Sequence, residues 1–317
     1  MTWVRPVAAL LTLFLAGPSA GPLSAQAPPG QTAAGSGHVI GVGSFAHIVA
    51  DVDRAVKFYV DAMGLELVRP VPAFAMPDWI RRMGNTPGAQ SRPANLRIPG
   101  SQMSVELIEY KDIERRPIRP RFEDPGATVL VVTVRSLAKV VPAIEKAGGS
   151  NQGVICAVRC TARMRDPDGF SLAVVENPDA PTTAAAASNV IGGAFGMVVE
   201  DLDATLKIYR DVLGFGIFQD SGRTTALIPG TQVRIQWVES KRGTTMHSRV
   251  QDPGTPILQL QVRDARATLR ALKAAGLQVI SEGGAVVPRE NGGAFVIMRD
   301  ANNLFLELFQ RPTTEPR

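Results

Sequence analysis

Val49-Ala-Asp-Val-Asp-Arg-Ala-Val-Lys-Phe-Tyr59 returns later in the chain as Val199-Glu-Asp-Leu-Asp-Ala-Thr-Leu-Lys-Ile-Tyr209. Both copies run on into Asp-x-x-Gly, Asp61 to Gly64 and Asp211 to Gly214. Outward from this pair the repetition continues in one order. Ile98-Pro-Gly-Ser-Gln-Met103 is matched by Ile228-Pro-Gly-Thr-Gln-Val233, Asp124-Pro-Gly by Asp252-Pro-Gly, and Met164-Arg-Asp-Pro-Asp-Gly169 by Met298-Arg-Asp-Ala-Asn-Asn303. Repetition on this scale means duplicated architecture. The stretch from Pro178 to Ser188 reads as a linker. The expected organisation is therefore one domain over 38–178, a linker at 179–188, a second domain over 189–311 and a tail at 312–317.

Each repeat is itself bipartite. An apolar strand (Ser44 to Val49; Ala194 to Val199) precedes a helix whose first residues include an Asp suited to N-capping. Apolar residues recur at helical spacing in Val52, Ala55, Val56 and Tyr59, and Gly64 and Gly214 supply the stops. Alternating strands follow at Met103 to Ile108 and Val233 to Val238. The pattern then restarts: strand Thr128 to Val134 with helix Leu137 to Ala147, and strand Ile257 to Val262 with helix Ala265 to Ala275. Four βαβββ modules result, an α+β class.

The 317 residues are 45% hydrophobic and 20% charged, which suits about two globular domains. The net charge of +5 is spread singly or in pairs, without a dense basic run, so no nucleic-acid partner is expected. Arg5, the apolar run Val7 to Ala16 and the small residues before Pro28 read as a secretory signal over 1–27, followed by a flexible leader at 28–37. Export to the periplasm or medium, with no membrane association after cleavage, is the expectation. The two cysteines, Cys156 and Cys160, can pair if they flank a tight hairpin; within one extended strand they are too far apart.

With these residues in hand, the chain resembles the vicinal oxygen chelate family (glyoxalase, bleomycin resistance, dioxygenase). The strand, the V-x-D-x-D start, Phe58-Tyr59, Met63-Gly64-Leu65 and the Arg165-Asp-Pro-Asp-Gly169 turn carry the resemblance. It implies a curved open mixed sheet from each pair of modules, enclosing a cleft. It also implies a divalent metal held by His, Glu or Gln from the first and last strands of two modules.

Placed on this chain, the resemblance puts candidate metal ligands at His47 and Glu106, with Glu106 also a candidate catalytic proton acceptor. The second module offers Val132 and Ala173, which cannot ligate. In the second repeat the corresponding positions are Met197, Gln236, Leu260 and Glu307, a set read as inactive. One divalent ion (Mn, Fe, Ni or Zn) with an incomplete ligand set is the cofactor expectation. An insert between Val68 and Arg97 offers Phe74, Trp79 and Arg81 as a lid, and Tyr110 joins them as a cleft residue; a surface helix packing Trp79 for stability is the competing reading. Two functions stand side by side. One is a metal-dependent lyase, isomerase or dioxygenase-like enzyme acting on a small molecule in the first-repeat cleft. The other is a non-catalytic binder of an antibiotic or aromatic compound, without metal. The duplication also implies a pseudo-dimeric monomer or a homodimer.

Overall fold

A computed structural model describes residues 37–157, 159–180, 188–220 and 223–312. The signal segment and most of the leader, linker and tail lie outside the described residues.

The four modules are present. The first comprises β1 (Val39–Val49), α1 (Val52–Lys57, continued by a π-helical turn Phe58–Ala62), β2 (Glu66–Leu67), α2 (Asp78–Gly84), β3 (Gln90–Arg97) and β4 (Ser104–Lys111). The second comprises β5 (Thr128–Val134), α3 (Leu137–Lys146), β6 (Ser150–Cys156), β7 (Cys160–Arg165) and β8 (Ser171–Glu176). The third has β9 (Val190–Val199), α4 (Leu202–Leu206, continued by a π-helical turn Lys207–Val212), β10 (Gly216–Asp220), β11 (Arg223–Leu227) and β12 (Arg234–Glu239). The fourth has β13 (Pro256–Val262), α5 (Ala265–Ala274), β14 (Gln278–Val279), β15 (Val287–Pro288), β16 (Ala294–Arg299) and β17 (Phe305–Gln310). The expected caps are made: Asp51 accepts from the Arg54 amide at 2.9 Å and Asp201 from the Ala204 amide at 2.8 Å.

Two open mixed sheets form, as the family resemblance implies. Their membership follows spatial rather than sequential pairing. The first sheet runs β14-β16-β17-β13-β1-β4-β3-β2, joining module four to module one through the antiparallel pair β1 and β13. The second runs β10-β11-β12-β9-β5-β8-β7-β6, joining module three to module two through β5 and β9. Each repeat thus contributes half of each sheet, and the cleft expected within 38–178 is instead shared between the repeats.

One continuous core lies between the helix-bearing faces of both sheets. Phe45 of β1 meets Phe195 of β9 at 4.5 Å between ring centroids, with Leu130, Leu172, Leu258 and Leu306 around them. Burying each such side chain contributes roughly 1.5–3 kcal/mol. β5 is buried along its whole length because Leu130 and Val132 face this core while Val129 and Val131 face the other side of the sheet. The repeated Ile-Pro-Gly segments serve the seam between repeats. A Cβ on Gly100, at φ 76°, would sit 2.3 Å from the Ile191 carbonyl oxygen, and Gly230 stands in the same relation to Ile40. Cys156 and Cys160 face each other across the β6–β7 hairpin and form a disulfide.

Candidate functional site

Strand alternation decides which residues reach the concave face of the first sheet. On β1, Phe45 and Val49 point into the shared core, whereas Ala46 and Ile48 belong to the cluster on the other face. His47 shares the parity of Phe45. Its ring lies 4.2 Å from Phe170 and its Nε2 donates to Asp166 Oδ2 at 2.9 Å. Glu106 of β4 follows Val105 and precedes Leu107, both in the core, so it points the opposite way, into the cleft.

This corrects the expected pairing of His47 with Glu106: the sheet separates them. His47 acts as a clip between modules one and two. Asp166, buried beneath it, also accepts the Tyr59 hydroxyl at 3.0 Å and the Asp168 and Phe170 amides. Burial opposes its ionisation, but His47 and these donors hold its carboxyl below the usual range. The second repeat has Met197 at the His47 position, buried in the core. There Tyr209 still donates to Asp300 at 3.0 Å, but burial without the imidazole raises the Asp300 carboxyl to about 6.

What the cleft does bring together is Glu106 on β4, Gln259 on β13 and Glu307 on β17. Gln259 Nε2 donates to Glu106 Oε2 at 2.6 Å and reaches Glu307 Oε2 at 3.4 Å; its Oε1 accepts the Ser44 amide at 2.9 Å. Gly43 leaves room for this side chain, since a Cβ there would come within 2.9 Å of Gln259 Cβ. Ser44 adds a hydroxyl, which meets Ser104 Oγ at 2.8 Å. Neither carboxylate forms a salt bridge among the described residues. Glu307 is buried, and burial together with Glu106 pushes its carboxyl up to about 8. Burial also raises Glu106, partly offset by the Gln259 bond and the nearby Arg69. Near neutrality Glu307 therefore keeps its proton. Glu307, read from sequence as an inactive remnant, is half of the site. Gln259 and Ser44 were missed because the first-strand positions were counted on the wrong face. The alternation Leu258, Leu260, Val262 against Ile257, Gln259, Gln261 carried the signal.

The insert places α2 over this face. Trp79 packs on Phe295 of β16 at 4.8 Å and carries the Arg289 guanidinium 4.6 Å from its ring. Ser281 Oγ donates to the Met83 carbonyl, and Arg82 pairs with Glu282 at 2.8 Å. The helix belongs to module one but is pinned to module four, so it both packs and covers the cleft. Tyr110 is buried in the same cluster, its hydroxyl raised by burial and by Glu307 and Glu106. Arg81 is spent on the Ala89 carbonyl at 3.0 Å. Phe74 lies against Arg92 and Lys111 at 4.7 and 4.4 Å, on the helix-bearing side, and is not a cleft residue.

The four floor positions of the first sheet, Ser44, Glu106, Gln259 and Glu307, correspond by repeat alignment to Ala194, Gln236, Val131 and Ala173 in the second sheet. No group of three or more His, Cys, Asp or Glu gathers among the described residues.

Residues 41–174 and 193–308 match the Glyoxalase/Bleomycin resistance protein/Dioxygenase superfamily, and the chain belongs to that family. A curated relative, 2-epi-5-epi-valiolone epimerase from an Actinomyces species, is 33% identical over 96 residues, covering 30% of this chain and 52% of that protein; the chain thus spans about half of its length. Among solved structures, a glyoxalase I variant from Zea mays superposes with a TM-score of 0.60 at 16% identity, covering 85% of this chain and 93% of that one. A putative dioxygenase from Bacillus subtilis gives 0.58 at 15% identity, with 87% of each chain covered. At these identities the structural likeness speaks for the fold.

Proposed function

We propose that this protein binds a small oxygen-bearing molecule in the first-sheet cleft and moves a proton on it, as an isomerase or epimerase does. The observation that carries this reading is the meeting of Glu106 and Glu307 around Gln259. A carboxyl group that keeps its proton near neutral pH, Glu307, beside a second and more exposed one, Glu106, supplies an acid and a base within one small volume. Glu106, the more exposed of the two, is the base; Glu307 holds the proton it returns. Gln259 orients both. The apolar cover from α2 excludes water once a ligand is seated. The epimerase relative is consistent with chemistry of this type.

The donor set also fits a divalent cation. Glu106, Glu307 and the Ser44 hydroxyl are hard oxygen donors, while the Gln259 oxygen is taken by the Ser44 amide, so the fit is to Mg or Mn rather than to the softer ions a histidine would favour. A bound cation would polarise an oxygen next to the reacting carbon. The cation also competes with the Glu307 proton, so its affinity rises with pH. Export remains part of the reading, and the Cys156–Cys160 disulfide favours an oxidising compartment; cell fractionation tests it.

Calorimetric titration with MnCl2 at pH 8 tests the site. Binding should be lost in Glu106→Gln and Glu307→Gln and kept in His47→Ala. Deuterium incorporation from D2O into a panel of hydroxyketones and cyclitol ketones tests the reaction. Binding of these compounds without cation uptake or exchange would favour the second reading, a metal-free small-molecule binder; no exchange into any of them would sink the first.

A further inference from the structure

The second sheet has a concave face of its own, and its chemistry is the reverse of the first. We propose that this face is a second small-molecule site, built for an apolar body carrying one carboxylate.

Where the first sheet has Ser44, Gln259 and Glu307, the second has Ala194, Val131 and Ala173, joined by Val129, Val175 and Val198 in one apolar cluster. Gly196, between Gln236 and Val129 in the strand register, adds no side chain. The floor is thus broad, small and without a carboxylate, which removes both the acid–base pair and the cation donors. An apolar group packs there at no electrostatic cost.

Two polar features flank this floor. Gln236 of β12 lies between Ile235 and Trp237, both in the shared core, so its amide points to the concave face. It is 6% exposed. Its cross-strand neighbour Thr225 buries an Oγ that has no hydrogen-bond partner among the described residues. A buried hydroxyl of this kind is normally satisfied, and its lack of a protein partner points to a ligand. On the other side, Arg163 of β7 is the cross-strand neighbour of Ala173 and shares its face. Its guanidinium stacks on Phe122 at 4.1 Å, with Arg165 at 5.0 Å from the same ring, and forms no ion pair among the described residues. A half-buried guanidinium over an aromatic ring beside an apolar floor recognises a planar carboxylate on an apolar scaffold. Only two residues separate β10 from β11, at the position where α2 covers the first cleft.

The test is calorimetry and ligand-observed NMR with benzoate and cyclohexanecarboxylate, against benzamide and benzylamine as neutral and cationic counterparts. The carboxylates should bind and benzylamine should not. Arg163→Gln should weaken benzoate by about tenfold or more, and Gln236→Leu should weaken it too. Ala173→Phe, which fills the floor, should abolish it, with thermal unfolding of each variant confirming a folded chain. Carboxylates that fail to bind wild type at about 10 mM, far above what a minimal contact set requires, overturn the proposal. So does benzoate binding that both Arg163→Gln and Ala173→Phe leave unchanged, since the ligand then sits elsewhere.

Discussion

Replacing Glu307 by Gln should make the protein more stable in alkali. In the folded chain burial and Glu106 raise the Glu307 carboxyl from 4.5 to about 8. The folded state therefore binds more protons than the unfolded chain between those two values. Stability contributed by this group is complete below pH 4.5, falls as pH rises through the window, and is flat above about 8. A tenfold change in proton affinity is worth about 1.4 kcal/mol, so ionising this carboxyl in place costs the fold about 5 kcal/mol at most. The cost belongs jointly to Glu106 and Glu307, and the Gln259 bond offsets part of it. Glu307→Gln should thus gain about 2–4 kcal/mol over wild type at pH 9 and close to nothing at pH 4. Urea unfolding at pH 4, 6, 7.5 and 9 in the presence of EDTA reads this directly from the midpoints, provided the slopes agree. Adding Mn2+ to wild type should recover most of the alkaline loss, because the cation takes the place of the proton. A difference between the two proteins that does not change with pH refutes the reasoning, as does a variant less stable at pH 9 than wild type.

Other consequences are open to measurement. His47→Ala should cost about 2–4 kcal/mol by leaving the buried Asp166 carboxylate without its imidazole partner, yet leave cation affinity intact; loss of cation binding at full stability would reverse the assignment of that histidine. Asp300, raised to about 6, makes stability fall as pH rises from about 4 to 6, and Asp300→Asn should flatten that part of the profile in the same urea series. Gly100→Ala should cost about 2–4 kcal/mol, because its Cβ meets the Ile191 carbonyl and its backbone is left-handed; a thermal midpoint equal to wild type would argue against the seam described above. Replacing both cysteines by Ser should cost about 2 kcal/mol or less, since the closed loop is short, and should speed proteolysis within the β6–β7 hairpin.

Much of the scaffold was legible in the chain because its signals are local. Asp51, Asp201 and Asp264 cap helices within three residues of themselves. Gly64 and Gly214 supply left-handed stops, and the apolar periods of β5 and β13 mark them as strands. The duplication and the four modules follow from repeating these short-range signals. Glu106 was named through the family resemblance, and its alternation with Val105 and Leu107 places it on the cleft face.

Tertiary structure alone decided the partners. Strand pairing uses backbone groups that every residue carries, so nothing local on β1 specifies β13 rather than β5; the choice rests on packing both sheets against one core. That choice brings Glu307 and Gln259, from the far end of the chain, to Glu106. Face parity is equally a matter of where the core lies. With the core on the Phe45 side, His47 turns inward to Asp166 and Ser44 turns toward the cleft, so a count displaced by one face exchanges a metal ligand for a structural clip.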